Sequence, residues 1–133
     1  MKPKSLDSQS QFQPRQLVCL EHDRTFLYGE VIEVISNRQL CWVRPLMLAI
    51  MSENIEGLSS YWQLETQIDL RSGADLILPL NLFRLALDTE IIPLLVRLEN
   101  LHNSSETELI ARQHLHRFIE QICQSHREIF QNS

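Results

Sequence analysis

A succession of short apolar segments between residues 15 and 79 constrains the fold more than any other feature. The segments are "LVCLEH", "TFLYGEVIEVI", "LCWVRPLML", "YWQLE", "QIDL" and "DLILP", and short polar turns such as His22-Asp23-Arg24 separate them. β-Branched and aromatic residues at this spacing indicate strands. An open sheet of such strands would expose its edges, so the pattern favours a closed antiparallel meander. We therefore predict an α+β protein with a small SH3-like barrel over residues 15–87.

The second predicted strand, residues 25–35, carries apolar residues of both parities. Either both faces of the strand are covered, or Gly29 marks a bulge at which the pattern changes face, and we favour the bulge. Asn37 is predicted to adopt the left-handed conformation in the following turn. Pro45 cannot donate to a ladder, which places it at a sheet edge or a bulge.

The chain becomes helical after Pro79. Leu80, Phe83 and Leu87 have helical spacing and are predicted to form a short turn that plugs the barrel. A helix is predicted over residues 89–101, with Pro93 tolerable only in its first turn.

Ser105 and Glu108 form a predicted capping box that opens a second helix over residues 106–131. The two helices form a predicted hairpin over residues 88–133. An apolar stripe on the second helix either packs on the rest of the fold as core or meets another subunit, and its members are Leu115, Phe118, Ile119, Ile122, Ile129 and Phe130.

The composition is that of one globular domain. The chain has 133 residues, of which 44% are hydrophobic and 22% charged, which suits a single domain over residues 15–133. Residues 1–14 are polar and are predicted to be a flexible tail. No apolar run has the length of a signal peptide or a membrane span, so a cytoplasmic protein is expected. Three cysteines without a CxxC pair are typical of reduced, buried thiols, and these are Cys19, Cys41 and Cys123.

Residue patterns that would support catalysis or metal binding are missing from the sequence. His114 and His116 would point about 200° apart on a helix, and Cys123 with His126 supplies too few ligands for zinc. The sequence also lacks a glycine-rich phosphate loop and a recognisable nucleophilic triad. We therefore expect no enzymatic activity, no cofactor and no metal site.

Two apolar segments are candidates for a partner-binding surface. Trp42 is predicted to face inward, and the segment "RPLMLAIM" that follows it has only one charge. Tyr61 and Trp62 are adjacent on a predicted strand, so they cannot both face the interior. Exposed apolar patches in soluble proteins mark binding sites. The predicted partner-binding residues are Leu46, Met47, Leu48, Ile50, Met51, Tyr61 and Trp62.

The net charge of −5 favours a protein partner over a nucleic acid. We interpret the chain as a non-catalytic protein-interaction module, an adaptor or an assembly or regulatory factor, which binds another protein or a second copy of itself. The alternative is an RNA- or DNA-associated barrel that uses strand aromatics with Arg24, Arg38 and Arg44, and it requires these arginines to converge on one face. A small enzyme is the least favoured class.

Residues 17–90 also carry a resemblance. The stretches "LVCLEHDRTFLYGEVIEV", "RQLCWVRPLML" and "LILPLNLFRLALDTE" resemble small cytoplasmic proteins of unassigned function from cyanobacteria. The resemblance implies a regulatory or assembly role in a photosynthetic cell, and it supplies no site residue.

Overall fold

The described part of the chain contains six strands and two α-helices. A computed structural model of the chain describes residues 12–101 and 104–127. The elements are β1 (Leu17–His22), β2 (Thr25–Ile35), β3 (Leu40–Glu56), β4 (Ser59–Asp69), β5 (Leu76–Pro79), β6 (Arg84–Leu85), α1 (Asp88–Leu98) and α2 (Ser105–Ser125). Single turns of 3₁₀-helix at Ser36–Arg38 and Leu80–Leu82 precede β3 and β6. The predicted mixed α+β fold is confirmed.

All six strands belong to one antiparallel sheet with the order β4-β3-β2-β1-β6. The long strand β3 has two partners on the side away from β2, because its first half pairs with β5 and its second half with β4. Among the described strands β4 and β5 do not pair with β6, so the sheet is not closed into a barrel.

A bulge lies opposite Gly29, but the apolar pattern of β2 changes face at a second register shift, between Val31 and Glu33, where Ile32 is the extra residue. Both faces of β2 are also covered, which is the alternative that was not favoured, because Leu27 and Val31 pack in one buried cluster and Tyr28 in another.

The pairing of β2 with β3 shifts between Tyr28 and Gly29, and the extra residue is Leu46 on β3. A Cβ atom on Gly29 would lie 3.1 Å from the backbone oxygen of Arg44, which explains the glycine at this close approach. Pro45 lies beside the bulge, in the gap between the β5 and β4 ladders, where no donor is needed on that side.

One turn differs from the prediction. Asn37 is not in the left-handed region; it lies in the 3₁₀ turn, and Gln39 after it has φ 54°. The left-handed residue in the turn between β2 and β3 is therefore Gln39, two residues after the predicted Asn37. At the other end of β2, Asp23 and Arg24 have φ of 52° and 71°, as a type I′ hairpin requires.

The two helices cover opposite faces of the sheet, so the predicted helical hairpin is wrong. Ile91, Leu94 and Leu98 of α1 pack with a cluster that contains Tyr28 and Met47. On the other face Ala111, Phe118 and Ile122 of α2 pack with a larger cluster that contains the sheet residues Val18, Leu20, Leu27, Val31, Cys41, Val43 and Leu48. An amphipathic stripe shows only that a helix is covered, and here the sheet covers both.

The apolar stripe of α2 is core within the described residues. Phe118 and Ile122 are buried, and Leu115 and Ile119 pack against the same cluster. Ile129 and Phe130 lie outside the described residues, as does most of the predicted tail, residues 1–11.

Two details of the helices differ from the predictions. Pro93 is the sixth residue of α1, beyond the first turn, and its missing N–H leaves the carbonyl of Thr89 without its usual helical donor. The capping box of α2 is formed by Ser104 and Thr107, one residue before the predicted pair. Ser104 and Ser105 both match the sequence signal of an N-cap, and in the structure the N-cap is Ser104.

Two predicted core residues lie elsewhere. Leu80 and Phe83 are buried as predicted, whereas Leu87 is exposed, because it is the residue before α1 and not part of a helical turn. Trp42 belongs to neither apolar cluster. Its neighbours Cys41 and Val43 face the α2 cluster, so Trp42 faces the opposite side, half-buried, and its Nε1 donates to Asp75 Oδ2 at 3.0 Å.

The buried thiols should be unreactive in the native protein. Burial raises the pKa of Cys19 to about 12 and that of Cys41 to about 11. At pH 8 the Cys19 thiolate fraction is then on the order of a thousand-fold lower than for an exposed cysteine. We expect a chromogenic disulfide reagent to label the half-buried Cys123 first, and Cys19 and Cys41 only when urea unfolds the domain. Rapid labelling of all three thiols without urea would contradict this packing.

Candidate functional site

The most exposed apolar surface lies on a projecting hairpin, residues 51–64, which we call the arm. Six residue pairs, from Met51 with Leu64 to Glu56 with Ser59, join β3 and β4 there. The pairing of β2 with β3 stops at Ile50, so among the described strands only β3 and β4 form the arm. Six pairs extend about 20 Å from the sheet.

A glycine turn closes the arm. Glu56 pairs with Ser59, which leaves Gly57 and Leu58 as a two-residue loop. Gly57 has φ 62° and occupies the first loop position, where a type II′ hairpin turn requires a positive φ. The side chain of Leu58 stands at the tip, fully in solvent.

The two faces of the arm differ in polarity. Paired residues share a face, so one face carries Met51, Glu53, Ile55, Ser60, Trp62 and Leu64, and the other carries Ser52, Asn54, Glu56, Ser59, Tyr61 and Gln63. On the second face Asn54 Nδ2 donates to Gln63 Oε1 at 2.7 Å. The first face, which we call the apolar face, therefore contains most of the exposed hydrophobic area of the arm.

The apolar face continues the core that lies beneath α1. Met47 and Ala49, four and two residues before Met51 on the same face of β3, are fully buried in the α1 cluster. Met51 and Leu64 are half-buried and pack against that cluster. Beyond them Trp62 is 56% exposed and Ile55 is 74% exposed. The stripe passes from the core into solvent, with Glu53 between Met51 and Ile55 on the same face.

The arm is also acidic. Glu53 and Glu56 lie on it and Glu65 follows it, while the sequence between Arg44 and Arg71 contains no lysine, arginine or histidine. An apolar surface with negative charge around it attracts cationic groups.

The predicted partner-binding residues fall into three groups. Tyr61 and Trp62 are both exposed, where at least one had been expected to be. Leu46, Ile50 and Met51 are half-buried. Met47 and Leu48 are buried on opposite faces of a central strand, so their assignment to a partner-facing surface is wrong.

Sequence reasoning missed Ile55, Leu58 and Leu64. The available signal was Gly57, which with Leu58 can form the two-residue loop of a type II′ hairpin turn.

The three arginines of the nucleic-acid alternative do not converge. Arg24 lies in the turn before β2 and Arg38 in the turn after it, so the length of an eleven-residue strand, about 30 Å, separates them. Arg44 lies on β3 and its Nε pairs with Asp75 Oδ1 at 3.3 Å. The geometry required for this alternative is not present.

A second polar site fastens α1 to the sheet. The Glu90 carboxylate accepts hydrogen bonds from Arg84 Nη1 at 2.7 Å and from the Leu87 N–H at 2.7 Å, and Tyr28 Oη donates to it at 3.0 Å. The hydrogen bond from Arg84 is the main reason that the pKa of Glu90 is lowered, and burial raises the pKa of Tyr28. Every group in this cluster has a partner, which is typical of a structural role.

Two further contacts hold the rest of α1. Gln67 Nε2 donates to the Leu94 carbonyl at 2.8 Å, and Arg71 Nη2 donates to the Leu98 carbonyl at 3.1 Å. Arg71 also forms a bidentate pair with the buried Asp69. These contacts fix α1 over the sheet and end where the arm begins.

A cavity of about 370 Å³ lies between α2 and the loop from β4 to β5. Its lining includes Glu108 and Arg112 of α2, and Asp69, whose carboxylate is already paired with Arg71. Within residues 12–101 and 104–127, no group of three or more His, Cys, Asp or Glu side chains could hold a metal ion. Nor does any helix in these ranges have the length and apolar character needed to cross a membrane.

Comparison with known proteins gives no relative. No protein-family model, no curated protein and no solved structure matches the chain.

Proposed function

We propose that this protein is a non-catalytic interaction module, an adaptor or an assembly or regulatory factor, which binds a protein partner through the apolar face of the arm. The observation that carries the proposal is the stripe that leaves the core as Met51 and Leu64 and ends in solvent at Trp62 and Ile55. Contiguous exposed apolar surface of this kind is typical of interaction sites.

The residue types on the arm support a protein partner. Tryptophan and tyrosine are enriched among the residues that dominate binding energy at protein interfaces, and Trp62 and Tyr61 are adjacent on β4. Among residues 12–101 and 104–127, eleven large hydrophobic residues are exposed, and four of them fall within residues 55–62, namely Ile55, Leu58, Tyr61 and Trp62. A two-stranded hairpin is only marginally stable alone, so a partner would also stabilise the arm.

The finer description of the fold is part of the proposal. We infer an SH3-like barrel that is left open on the side of the arm. In its support, β5 and β6 lie towards opposite ends of the sheet path and yet only the short turn Leu80–Leu82 and Phe83 connect them, which requires a strongly curled sheet.

The buried free thiols Cys19 and Cys41 suit the reducing cytoplasm in which we place the protein.

Affinity capture with matched variants tests the proposal. The tagged full chain is compared with an Ile55→Ser/Trp62→Ser variant and with an Ile77→Ser control, since Ile77 is about as exposed as Trp62 but lies on β5. Loss of a tryptophan that dominates an interface costs about 2 kcal/mol, or roughly thirty-fold in affinity. We expect a nuclease-resistant partner that the double variant loses and the control retains, while circular dichroism shows all three chains folded.

Two results would contradict the proposal. One is recovery of the same partner by the double variant. The other is recovery of nucleic acid alone, in an amount that falls steeply with salt concentration, which would favour the RNA- or DNA-associated alternative.

A further inference from the structure

The outer edge of β4 is open along the arm. Among the described strands only β3 pairs with β4, so the opposite edge has no strand partner. Residues 59–63 are exposed. From Gln67 onwards α1 covers one face of the strand, because Gln67 Nε2 donates to the Leu94 carbonyl. The extra residue Glu65, between the pairs Ile50–Thr66 and Met51–Leu64, marks the end of the regular edge.

The backbone groups on this edge can be assigned from two hydrogen-bond facts. The Met51 N–H donates to the Arg24 carbonyl at 2.9 Å, which directs it towards β2 and away from β4. In an antiparallel ladder the partner of such a residue also points away, so Leu64 directs its N–H and C=O to the open edge. Because the direction of the backbone groups alternates along a strand, Trp62 and Ser60 also direct their N–H and C=O groups to the open edge. The same assignment makes Glu56–Ser59 a hydrogen-bonded pair, as expected for the pair that flanks a two-residue loop.

The open backbone groups and the apolar face belong to the same residues. Trp62 and Leu64 present side chains on the apolar face and unpaired N–H and C=O groups at the edge. Edge strands of soluble proteins are usually blocked by lysine, proline or a cover, and the arm has no lysine and no proline. The edge is therefore suited to accept another strand.

Resting on the proposed function, we propose that the partner supplies an extended segment of alternating apolar and Lys or Arg residues, which pairs as an additional strand with residues 60–64 of β4. Backbone hydrogen bonds to Ser60, Trp62 and Leu64 supply part of the affinity, and the apolar side chains of the segment pack on Trp62 and Ile55. Its basic side chains lie on the opposite face of the added strand, where they approach Glu56.

Charge argues against a second copy of this chain as the occupant. Two arms in edge-to-edge contact would bring together glutamates from both copies with no cation on either arm. Like charges in such positions are destabilising. A basic segment of a different protein meets the same surface with opposite charge.

The test uses the full chain and a capped peptide, Lys-Val-Lys-Val-Lys-Val, with tryptophan fluorescence for affinity and amide hydrogen exchange for geometry. We expect the peptide to slow exchange of the Ser60 and Trp62 amides at least tenfold and to leave Tyr61 and Gln63 unchanged, since those amides already face β3. The corresponding Glu-Val peptide should bind at least tenfold more weakly.

A pair of variants at one position isolates the backbone contribution. Ser60→Pro removes an outward N–H without breaking the pairing with β3, and Ser60→Ala keeps that N–H. We expect the dissociation constant to rise at least tenfold for Ser60→Pro and less than twofold for Ser60→Ala.

Several outcomes would overturn strand addition: no binding of the Lys-Val peptide at millimolar concentration, equal binding of the Glu-Val peptide, unchanged exchange at Ser60 and Trp62, or unaltered affinity of Ser60→Pro. If the Ile55→Ser/Trp62→Ser variant still loses its captured partner in any of these cases, the proposed function stands and only the mode of binding fails. If that variant also retains its partner, both proposals fail.

Discussion

Replacing Leu48 with alanine should lower the free energy of unfolding by about 2–5 kcal/mol, as the loss of a buried leucine does when the surrounding core relaxes only in part. Leu48 is 1% exposed and lies on the central strand β3, in the cluster that α2 covers. A domain of this size has about 5–15 kcal/mol of stability in total, so the variant should fold but unfold at a much lower urea concentration. Urea titration followed by circular dichroism measures the change.

Leu58→Ala is the matched control for this experiment. The same side chain is removed, but Leu58 stands fully exposed at the tip of the arm. Its effect on stability should lie within about 0.5 kcal/mol. Equal destabilisation by the two variants would show that "RPLMLAIM" is not the centre of the sheet.

The fate of this segment shows where sequence reasoning reaches its limit. A run with one charge must be covered, but the sequence does not say by what. Two distant helices supply the cover, since Met47 packs with α1 and Leu48 with α2. A residue pattern of period two or 3.6 reports local burial, whereas the partner of each face depends on the arrangement of the whole chain.

Features with a local cause were predicted well. The bounds of β2, Thr25–Ile35, agree with the prediction because turn residues flank the strand on both sides. Gly29 indicated an irregularity at this point because a Cβ atom there would lie only 3.1 Å from the Arg44 backbone oxygen. The prediction of Ser105 as the N-cap was wrong. Two adjacent serines both match the local signal, and Ser104 is the N-cap in the structure.

The candidate site was predicted in part. Adjacent Tyr61 and Trp62 gave a stereochemical reason to expect an exposed aromatic. The extent of the arm had no such signal, because the point at which β3 leaves the sheet depends on where β2 begins, at Thr25 opposite Ile50. The open edge of β4 depends likewise on the order of strands in the sheet.

Replacing Glu90 with alanine should destabilise the domain by about 2–4 kcal/mol, because one carboxylate joins three elements. The change removes the acceptor of the Leu87 N–H at the start of α1, worth about 1 kcal/mol, and leaves the hydroxyl of Tyr28 without its acceptor, worth about 1–3 kcal/mol. The pair with the partly exposed Arg84 adds little.

A double-mutant cycle separates these contributions. In Tyr28→Phe/Glu90→Ala the unpaired hydroxyl is absent, so the double variant should be more stable than the sum of the single effects predicts, by about 1–2 kcal/mol. Strict additivity would contradict a functional hydrogen bond between Tyr28 and Glu90.

The stability contributed by Glu90 should also depend on pH in a defined direction. Hydrogen bonding from Arg84 lowers the pKa of Glu90 in the folded state, so the folded protein holds the ionised form more strongly than the unfolded chain does. This contribution is complete above the ordinary carboxyl pKa of about 4.3 and is lost as the pH falls through the lowered folded value. The stability difference between the wild type and Glu90→Gln should therefore be largest near neutral pH and shrink below about pH 4, where the protonated carboxyl resembles the amide. A difference that stays constant from pH 7 to pH 3 would show that the charge of Glu90 does not hold α1 against the sheet.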